Sequence, residues 1–286
     1  MVLMKKVSVY FLILATVFAV IGCKEKSNSD LTKEKLSFIP KGDGKIGHLY
    51  DYDDNLYKGI KLGNQIWMDR DLESERFIQG SVHYSDGTEI TKWEKQGDDE
   101  KPCYFQCEEN VLGQWRAAYN GYAAMDKEHN ICPKGWHVPS DEDWEELENH
   151  LKRSEIYSCE GNGSAIAKSL AAHYGWAEYR HSTSKTTCHI GYNPKTTNNS
   201  TGFCALPYGI VRVMGDSIIE EDIRQIPTEE AENLNYNEYH KFISAGFWSS
   251  SGSAYYLFVN SPILEKDTNI EKTVGLSVRC VRSVSN

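Results

Sequence analysis

The sequence CPKGWHVPSDEDW, residues 132–144, contains the side chains best suited to acid–base chemistry. His137 could act as a general base if Asp141 or Asp143 oriented its ring, because imidazole changes protonation near neutral pH. The same histidine lies between a tryptophan and a proline bend, a setting in which histidine is more often structural. The acids that follow are typical of a first helical turn, where the helix dipole favours negative charge. We therefore predict an architectural role for this segment.

Patterns that would bind a metal or activate a serine are weak elsewhere in the chain. No C-x-x-C pair occurs, and Cys103-x-x-x-Cys107 has no second close pair with which to complete a zinc site. The acidic stretch from Asp53 to Asn55 lacks the glycine and distal glutamate of a calcium loop, so it is expected to cap a turn. The serines at residues 249–253 lack the glycine spacing of a nucleophile elbow. We predict no catalytic residue, no metal site and no cofactor.

The N-terminus has the layout of a bacterial secretion signal. Two lysines precede an apolar run over residues 7–21 that is shorter than a membrane span, and the run ends in the sequence V-I-G-C at residues 20–23. A small residue before cysteine resembles the lipobox of bacterial lipoproteins. We predict that residues 1–22 are removed and that Cys23 becomes lipid-modified. Residues 23–45 are polar and charged, and they are expected to form a flexible tether.

Residues 46–286 have the composition of one loop-rich domain. The formal net charge of −10 and the lack of any lysine or arginine cluster argue against nucleic-acid binding, which uses basic stripes. Export makes disulfides the default state of the cysteines. The chain has eight cysteines, and removing Cys23 leaves an odd number, so at least one is unpaired or bonds elsewhere. We expect a monomeric domain held to a membrane by its lipid.

Hydrophobic periodicity predicts a hairpin and several helices. Residues 56–68 read as two strands joined by a glycine–asparagine turn. Ser140 is placed as the N-cap of an amphipathic helix, with apolar residues at i, i+3 and i+7 from Trp144. A second helix is predicted over residues 164–172. Small and aromatic residues within 114–126 favour a further short helix.

The C-terminal half is predicted to be rich in β-strands. Short aromatic or β-branched runs, bounded by glycine, serine or aspartate, occupy residues 205–213, 247–250, 254–260 and 276–282. Residues 215–241 between them are too polar and acidic for a core. This segment reads as an acidic insertion that is helical from residue 228 to residue 240.

Five ordered motifs resemble the major paralogous domain family first described in Fibrobacter succinogenes. They are GNQIWM at 63–68, CPKGWHVPS at 132–140, GFCALP at 202–207, FWSSS at 247–251 with AYY at 254–256, and GLSVRCV at 275–281. The second and fifth motifs also look like the sulfatase-modifying-factor branch of the C-type-lectin-like fold. The resemblance covers residues 50–283. It implies an α+β, disulfide-stapled domain in which two helices flank small twisted antiparallel sheets, with long loops and adjacent chain ends.

The resemblance further implies three disulfides: Cys132–Cys280, Cys103–Cys107 and Cys159–Cys188. The first would close a loop of about 150 residues, contributing about 4 to 5 kcal/mol in the chain-entropy model. Cys204 lies where the family usually has serine, inside an apolar run, and is expected to be an unpaired buried thiol. An exchange of Cys204 with Cys159 or Cys188 is the first alternative.

The resemblance bears on catalysis as well. Relatives in the sulfatase-modifying-factor branch oxidise a substrate cysteine with two close thiolates near the C-terminal part of the domain. This chain has no cysteine between Cys204 and Cys280, so that chemistry lacks its ligands. The E-P-N, Q-P-D and W-N-D triplets of calcium-dependent lectins are also missing. We expect a domain that is not an enzyme.

A binding role is favoured by the polar, aromatic stretch over residues 176–202. Trp176, Tyr179 and Tyr192 could stack on sugar rings or on a partner's apolar surface, or they could close a small core beneath the loop. We expect a lipoprotein of a Gram-negative bacterium, anchored to the outer membrane, whose domain recognises a glycan or a protein. The alternatives are an enzyme of the sulfatase-modifying-factor branch and a structural component of a surface assembly.

Overall fold

The computed structural model describes residues 45–76, 85–86, 99–107, 116–179, 187–192, 197–214, 217–221, 234–235 and 243–284. Cys23 and most of the predicted tether lie outside these residues. The strands are β1 (Lys45–Tyr50), β2 (Leu56–Leu62), β3 (Gln65–Met68), β4 (Ser85–Asp86), β5 (Cys103–Cys107), β6 (Arg116–Tyr119), β7 (Glu178–Tyr179), β8 (Ile210–Met214), β9 (Ser217–Glu221), β10 (Leu234–Asn235), β11 (Ser244–Trp248), β12 (Ala254–Phe258), β13 (Glu265–Asp267) and β14 (Val281–Ser283). The helices are α1 (Gly121–Met125), α2 (Asp141–Lys152) and α3 (Ala167–Leu170), with a 3-10 turn at Cys159–Gly161.

The largest sheet joins the two ends of the described chain. Its strand order is β1-β2-β3-β14, and every pair in it is antiparallel. The β2–β3 hairpin predicted from the sequence is confirmed, and Gly63 at its turn has a φ of 64°, which glycine adopts without strain. Val281 of β14 lies opposite Trp67 of β3. The first and last described strands therefore belong to one sheet.

Both faces of this sheet are covered. Every residue of β3 is buried. Ile66 and Met68 pack into one hydrophobic cluster, whereas Trp67 packs into a second cluster. Successive side chains of a strand point to opposite faces, so these assignments place one core on each side of β3.

The remaining sheets have two or three strands each. They are β11-β12-β13, β4-β5-β6, β8-β9 and β7-β10. Only the β4–β5 pair is parallel among the strands that the structure describes. Small, mainly antiparallel sheets with a few short helices make an α+β fold, as the sequence predicted.

Helix α2 forms as its sequence predicts. The Ser140 hydroxyl accepts a hydrogen bond from the Asp143 amide at 3.2 Å, and the Asp143 carboxylate accepts one from the Ser140 amide at 2.9 Å. This reciprocal cap satisfies two amides that have no partner within the helix. Trp144 is buried and its ring stacks on that of Tyr255 in β12, with centroids 4.8 Å apart. The capped helix is thus packed onto the three-stranded sheet.

The second predicted helix is shorter than expected. Periodicity predicted helix over residues 164–172, but α3 has a single turn and the backbone is already extended at Ala171. The Ala172 amide donates to the Ala205 carbonyl at 2.8 Å, and the Ala205 amide donates to the Leu170 carbonyl at 2.9 Å. These tertiary bonds replace the hydrogen bonds that would have extended the helix.

Residues 114–126 also differ from the prediction of one short helix. Residues 116–119 are strand β6, and of the part of this range that the structure describes, only residues 121–125 are helical. The Asn120 side chain separates the two elements, because its Oδ1 accepts hydrogen bonds from the amides of Ala123 and Cys103 at 3.0 and 3.1 Å. Asn120 therefore ends the strand and caps the helix that begins at Gly121.

The predicted acidic insertion begins inside a hairpin. Strand β9 falls within residues 215–241 and pairs with β8. Leu234 and Asn235 pair with β7 as β10, so the predicted helix over residues 228–240 is wrong at that point. The other residues of that predicted helix lie outside the described part of the chain.

Two of the predicted disulfides are present. Cys132 is bonded to Cys280, with Cα atoms 5.8 Å apart and a sequence separation of 148. Cys159 is bonded to Cys188, with Cα atoms 5.6 Å apart and a separation of 29. The first bond joins the segment before α2 to the residue before β14, and the second fastens the loop after α2 to the loop after β7.

The predicted Cys103–Cys107 bond is wrong. Both cysteines lie on β5. A strand rises about 3.3 Å per residue, so their Cα atoms are about 13 Å apart, roughly twice the separation that a disulfide spans. The sequence C-Y-F-Q-C was interpreted as a loop, but it is a strand between β4 and β6.

The prediction for Cys204 is half wrong. Cys204 is buried, as expected, but it is disulfide-bonded rather than an unpaired thiol, and its bonding partner lies outside the described side chains. The backbone turns at Cys204, with a φ of 57°, and its amide donates to Asn199 Oδ1 at 2.7 Å. The apolar run that suggested an ordinary buried thiol therefore contains a backbone turn at Cys204.

Candidate functional site

The segment that contains His137 is bonded to the terminal strand β14. The His137 amide donates to the Val281 carbonyl and the Val281 amide donates to the His137 carbonyl, both at 2.9 Å. Cys132, five residues earlier in the chain, is bonded to Cys280, the neighbour of Val281. The segment before α2 is therefore held to the terminal strand by a covalent bond and a two-bond bridge.

The His137 ring has a partner in α2. Its Nε2 lies 3.0 Å from Asp143 Oδ2, and half of the histidine side chain remains exposed. Burial opposes ionisation of Asp143, but the hydrogen bonds from His137 and Ser140 outweigh it and lower the pKa of that carboxyl. Gln65 of β3 donates to the Asp143 carbonyl at 2.9 Å, and it accepts a hydrogen bond from Trp67 at 3.0 Å. These hydrogen bonds connect α2 to β3 of the four-stranded sheet.

Asp143 is expected to contribute acid-sensitive stability. Because its folded pKa lies below the unfolded value, this contribution is complete above the unfolded pKa and is lost as the pH falls through the folded pKa. Asp143→Asn should cost about 1 kcal/mol at neutral pH, the usual effect of losing a cap, and should flatten the decline in stability below about pH 4. Urea unfolding across an acid pH series measures both effects.

Glu142→Gln is the matched control, since Glu142 is an exposed acid of the same helical turn. Its effect should be within about 0.5 kcal/mol at every pH. Equal losses in the two variants would show that helix-dipole charge alone, rather than the Asp143 contacts, provides the stabilisation.

The acidic stretch near residue 53 folds as a turn, as predicted. Asp51 Oδ1 accepts hydrogen bonds from the amides of Asp53 and Asn55, both at 2.9 Å, and its Oδ2 accepts one from the Tyr57 hydroxyl at 2.7 Å. Asp53 in turn pairs with Arg76 at 2.8 Å. Within the described residues, no three histidine, cysteine, aspartate or glutamate side chains are grouped so that they could hold a metal ion.

The three predicted recognition residues have different environments. Trp176 is 0% exposed and its indole nitrogen donates to the Ala205 carbonyl at 3.0 Å, so it is a core residue and cannot stack on a ligand. Of the two alternatives that the sequence left open for Trp176, a place in the core beneath the loop is the one that the structure shows. Tyr179 lies on β7, and its side chain is outside the described part of the chain. Tyr192 is half-buried and lines a cleft.

The cleft at Tyr192 has a volume of about 390 Å³. That volume lies within the range of small-ligand sites, about 300 to 1,000 Å³. One wall is formed by residues 156–160 and a second by Lys168 and Ser169. The third wall contains Thr187, Tyr192, Thr197 and Ser200. Its lining joins the loop after α2, helix α3 and part of the polar stretch that the sequence analysis selected.

A buried lysine forms hydrogen bonds with the loop that lines the cleft. Lys168 is only 6% exposed, and its ammonium donates to the carbonyls of Thr187 and Tyr192 at 3.0 and 3.2 Å. The same ammonium lies 5.9 Å from the centre of the Tyr192 ring. Burial lowers the pKa of Lys168, although the nearby Glu160 acts in the opposite direction. Lys168 therefore positions the loop that carries Tyr192.

Two further links cross the cleft. The Cys159–Cys188 disulfide joins its first wall to the loop of its third wall. Beside it, the Thr187 hydroxyl donates to Glu160 Oε1 at 2.6 Å. These links, together with the bonds of Lys168, give the cleft a preformed shape, which reduces the ordering cost of binding.

Comparison with known protein families gives one match. The sequence profile of the Fibrobacter succinogenes major domain matches residues 60–282, most of the chain. The chain belongs to the Fibrobacter succinogenes major domain family. The match runs from β2 to β14 and includes every residue that lines the cleft. No curated protein and no solved structure matches this chain significantly.

Sequence reasoning missed Lys168 and Glu160. A lysine in a predicted helix is normally solvated, and an acid beside a cysteine carries no pattern of its own. The available signal was the apolar sequence around Lys168, A-I-A-K-S-L-A-A, in which every neighbour is small or apolar and a charged side chain needs a partner.

Among the described residues, no helix is both long and apolar enough to cross a bilayer.

Proposed function

We propose that this chain is a lipid-anchored protein of the bacterial cell envelope, with a domain that recognises a glycan or a protein and does not catalyse a reaction. One observation carries the recognition role. Tyr192, half-buried in a cleft of about 390 Å³, is held in place by the buried Lys168 and by the Cys159–Cys188 disulfide. Tyrosine presents an apolar face and a polar tip, and it recurs in binding sites for that reason.

The arrangement of the chain supports a C-type-lectin-like fold. The first and last described strands share one sheet, α2 packs on it through Trp144 and Trp67, and a disulfide joins the loop after α2 to the loop after β7. In such a design a rigid, closed scaffold carries variable loops, and loops on a scaffold are where recognition residues concentrate.

The sequence supports attachment to the outer membrane of a Gram-negative bacterium. Cys23 follows an apolar run that ends in a small residue, and a mainly polar stretch, residues 24–44, separates it from β1. Buried acyl chains contribute about 0.8 kcal/mol per methylene, so two or more chains hold a protein at a membrane stably. A Cys23→Ser protein that stays in the membrane fraction would contradict this attachment.

Tyr192→Ala is expected to weaken ligand retention by roughly tenfold or more, the effect of truncating a central aromatic contact. A glycan array and a pull-down from envelope extracts, both with the purified Cys23→Ser protein, would measure it. Tyr122→Ala is the matched control. Tyr122 is also half-buried with a lysine ammonium near its ring, 5.7 Å from the centroid, but it lies on α1 and does not line the cleft.

Retention lost in the Tyr192 variant and kept in the Tyr122 variant supports recognition at the cleft. Equal retention by both variants and the parent would remove the cleft from consideration. Unfolding measured by circular dichroism ensures that each variant is folded during the assay.

A further inference from the structure

We propose that the cleft at Tyr192 takes an uncharged saccharide and discriminates against its acidic counterpart through Glu160. This inference rests on the proposed recognition function and specifies the ligand class of the same cleft. It is carried by the charge and chemistry of the cleft lining.

The described lining of the cleft offers a ligand almost no positive charge. Among the described residues that line it, Lys168 and Glu160 are the charged ones. The Lys168 ammonium is committed to two backbone carbonyls, at 3.0 and 3.2 Å, and is buried. Glu160 is exposed and receives a hydrogen bond at one carboxylate oxygen from Thr187. A phosphate, sulfate or carboxylate in the cleft would therefore meet the Glu160 carboxylate, while the one cation of the described lining, Lys168, is already bonded to two carbonyls.

The rest of the lining suits the two-sided character of a sugar ring. Tyr157 and Tyr192 present half-buried aromatic rings, and Ile156 at the rim is 77% exposed. These side chains can cover the C–H face of a pyranose. Ser158, Ser200 and Glu160 add groups that donate or accept hydrogen bonds, as sugar hydroxyls require.

The dimensions favour a small ligand over a protein surface. A stable protein interface buries about 800 Å² on each partner, whereas this cleft is a single concavity of about 390 Å³. Its walls are fixed by the Cys159–Cys188 bond and by the Thr187–Glu160 hydrogen bond. Rigid walls fit one or two sugar residues at the end of a chain better than a peptide that must add a strand to a sheet edge.

The test compares matched neutral and acidic sugars. Methyl glucoside, methyl galactoside and methyl N-acetylglucosaminide are titrated into the ¹⁵N-labelled protein, followed by methyl glucuronide and methyl galacturonide. At least one neutral glycoside should shift the amides of residues 156–160 and 187–192, and its uronide should bind about fivefold more weakly. In Glu160→Gln, which retains an acceptor for the Thr187 hydroxyl, the two affinities should come within about twofold of each other.

Equal or tighter binding of the uronide to the parent protein would overturn the inference, as would a preference for the neutral sugar that Glu160→Gln leaves unchanged. Neutral sugars that shift amides only outside the cleft would also overturn it while leaving glycan recognition in place. Retention of a protein that depends on Tyr192, with no response to any glycoside, would overturn the sugar class but keep the proposed recognition function. If the parent protein binds no glycoside and retains no protein, the inferred ligand class and the proposed recognition function are both overturned.

Discussion

Arg279→Met is expected to lower the free energy of unfolding by about 3 to 5 kcal/mol, the cost of leaving a buried charge without its partner. Arg279 is 1% exposed, and its guanidinium forms an ion pair with the buried Asp71 and donates to the Phe203 carbonyl. It also lies over the Phe203 ring, 4.1 Å from the centroid. Methionine retains most of the side-chain volume but removes the charge. Reversible denaturant unfolding measures the loss.

A double-mutant cycle separates the ion pair from packing. Asp71→Leu alone should also be strongly destabilising, because it leaves the guanidinium of Arg279 unpaired. The double variant should recover most of the loss, since well-packed apolar groups can replace a buried ion pair at little cost. If the two single losses simply add in the double variant, the interaction between Arg279 and Asp71 contributes nothing to stability.

Removing the Cys132–Cys280 disulfide should have an effect of similar size. With a sequence separation of 148 between the bonded cysteines, the chain-entropy model gives about 5 kcal/mol of stabilisation. Cys132→Ala/Cys280→Ala also removes two buried sulfurs and weakens the link between the segment before α2 and β14. We therefore expect the double variant to unfold at a much lower denaturant concentration under oxidising conditions.

Cys159→Ala/Cys188→Ala provides the comparison. Its loop of 29 residues is shorter, so the same model gives about 3.5 kcal/mol, and its first cysteine is half-exposed. The two variants also separate stability from recognition. Loss of the Cys159–Cys188 bond should weaken ligand retention at the cleft more strongly than its effect on the free energy of unfolding would suggest. A larger loss of stability in this variant than in Cys132→Ala/Cys280→Ala would contradict the assignment of the main closure to Cys132 and Cys280.

Features encoded locally were predictable from the sequence. Ser140, the acids after it and the spacing from Trp144 to Leu151 specify the cap and the buried face of α2 without reference to the rest of the chain. The β2–β3 hairpin is likewise set by its turn residues. The disulfides Cys132–Cys280 and Cys159–Cys188 were predictable only through the family resemblance, because spacing alone leaves the pairing open.

The errors arose where distant contacts decide the structure. Helix α3 stops early because Leu170 and Ala172 at its C-terminal end are bonded to Ala205, and residues 103–107 form a strand because β4 and β6 pair with them. Neither partner is adjacent in sequence. The same reason hides Trp176, whose indole finds a carbonyl acceptor 29 residues later. Local composition left open whether Trp176 is exposed or closes a core, and tertiary packing places it in the core.

The candidate site was partly accessible from sequence. Composition selected the polar stretch and Tyr192, which does line the cleft. Lys168 and Glu160 belong to other segments and come close to the loop of Tyr192 only through the fold, so no local pattern could have placed them at the same cleft.

Ligand recognition through one preformed cleft is the central claim, and amide chemical-shift mapping tests it most directly. The ¹⁵N-labelled protein is titrated with the neutral methyl glycosides and, separately, with any envelope fraction that the protein retains. The account predicts shifts concentrated at residues 156–160, 168–169 and 187–192, which disappear in Tyr192→Ala and persist in Tyr122→Ala. Binding that leaves those amides unmoved and shifts amides on α1 or on the face of β11-β12-β13 instead would contradict it.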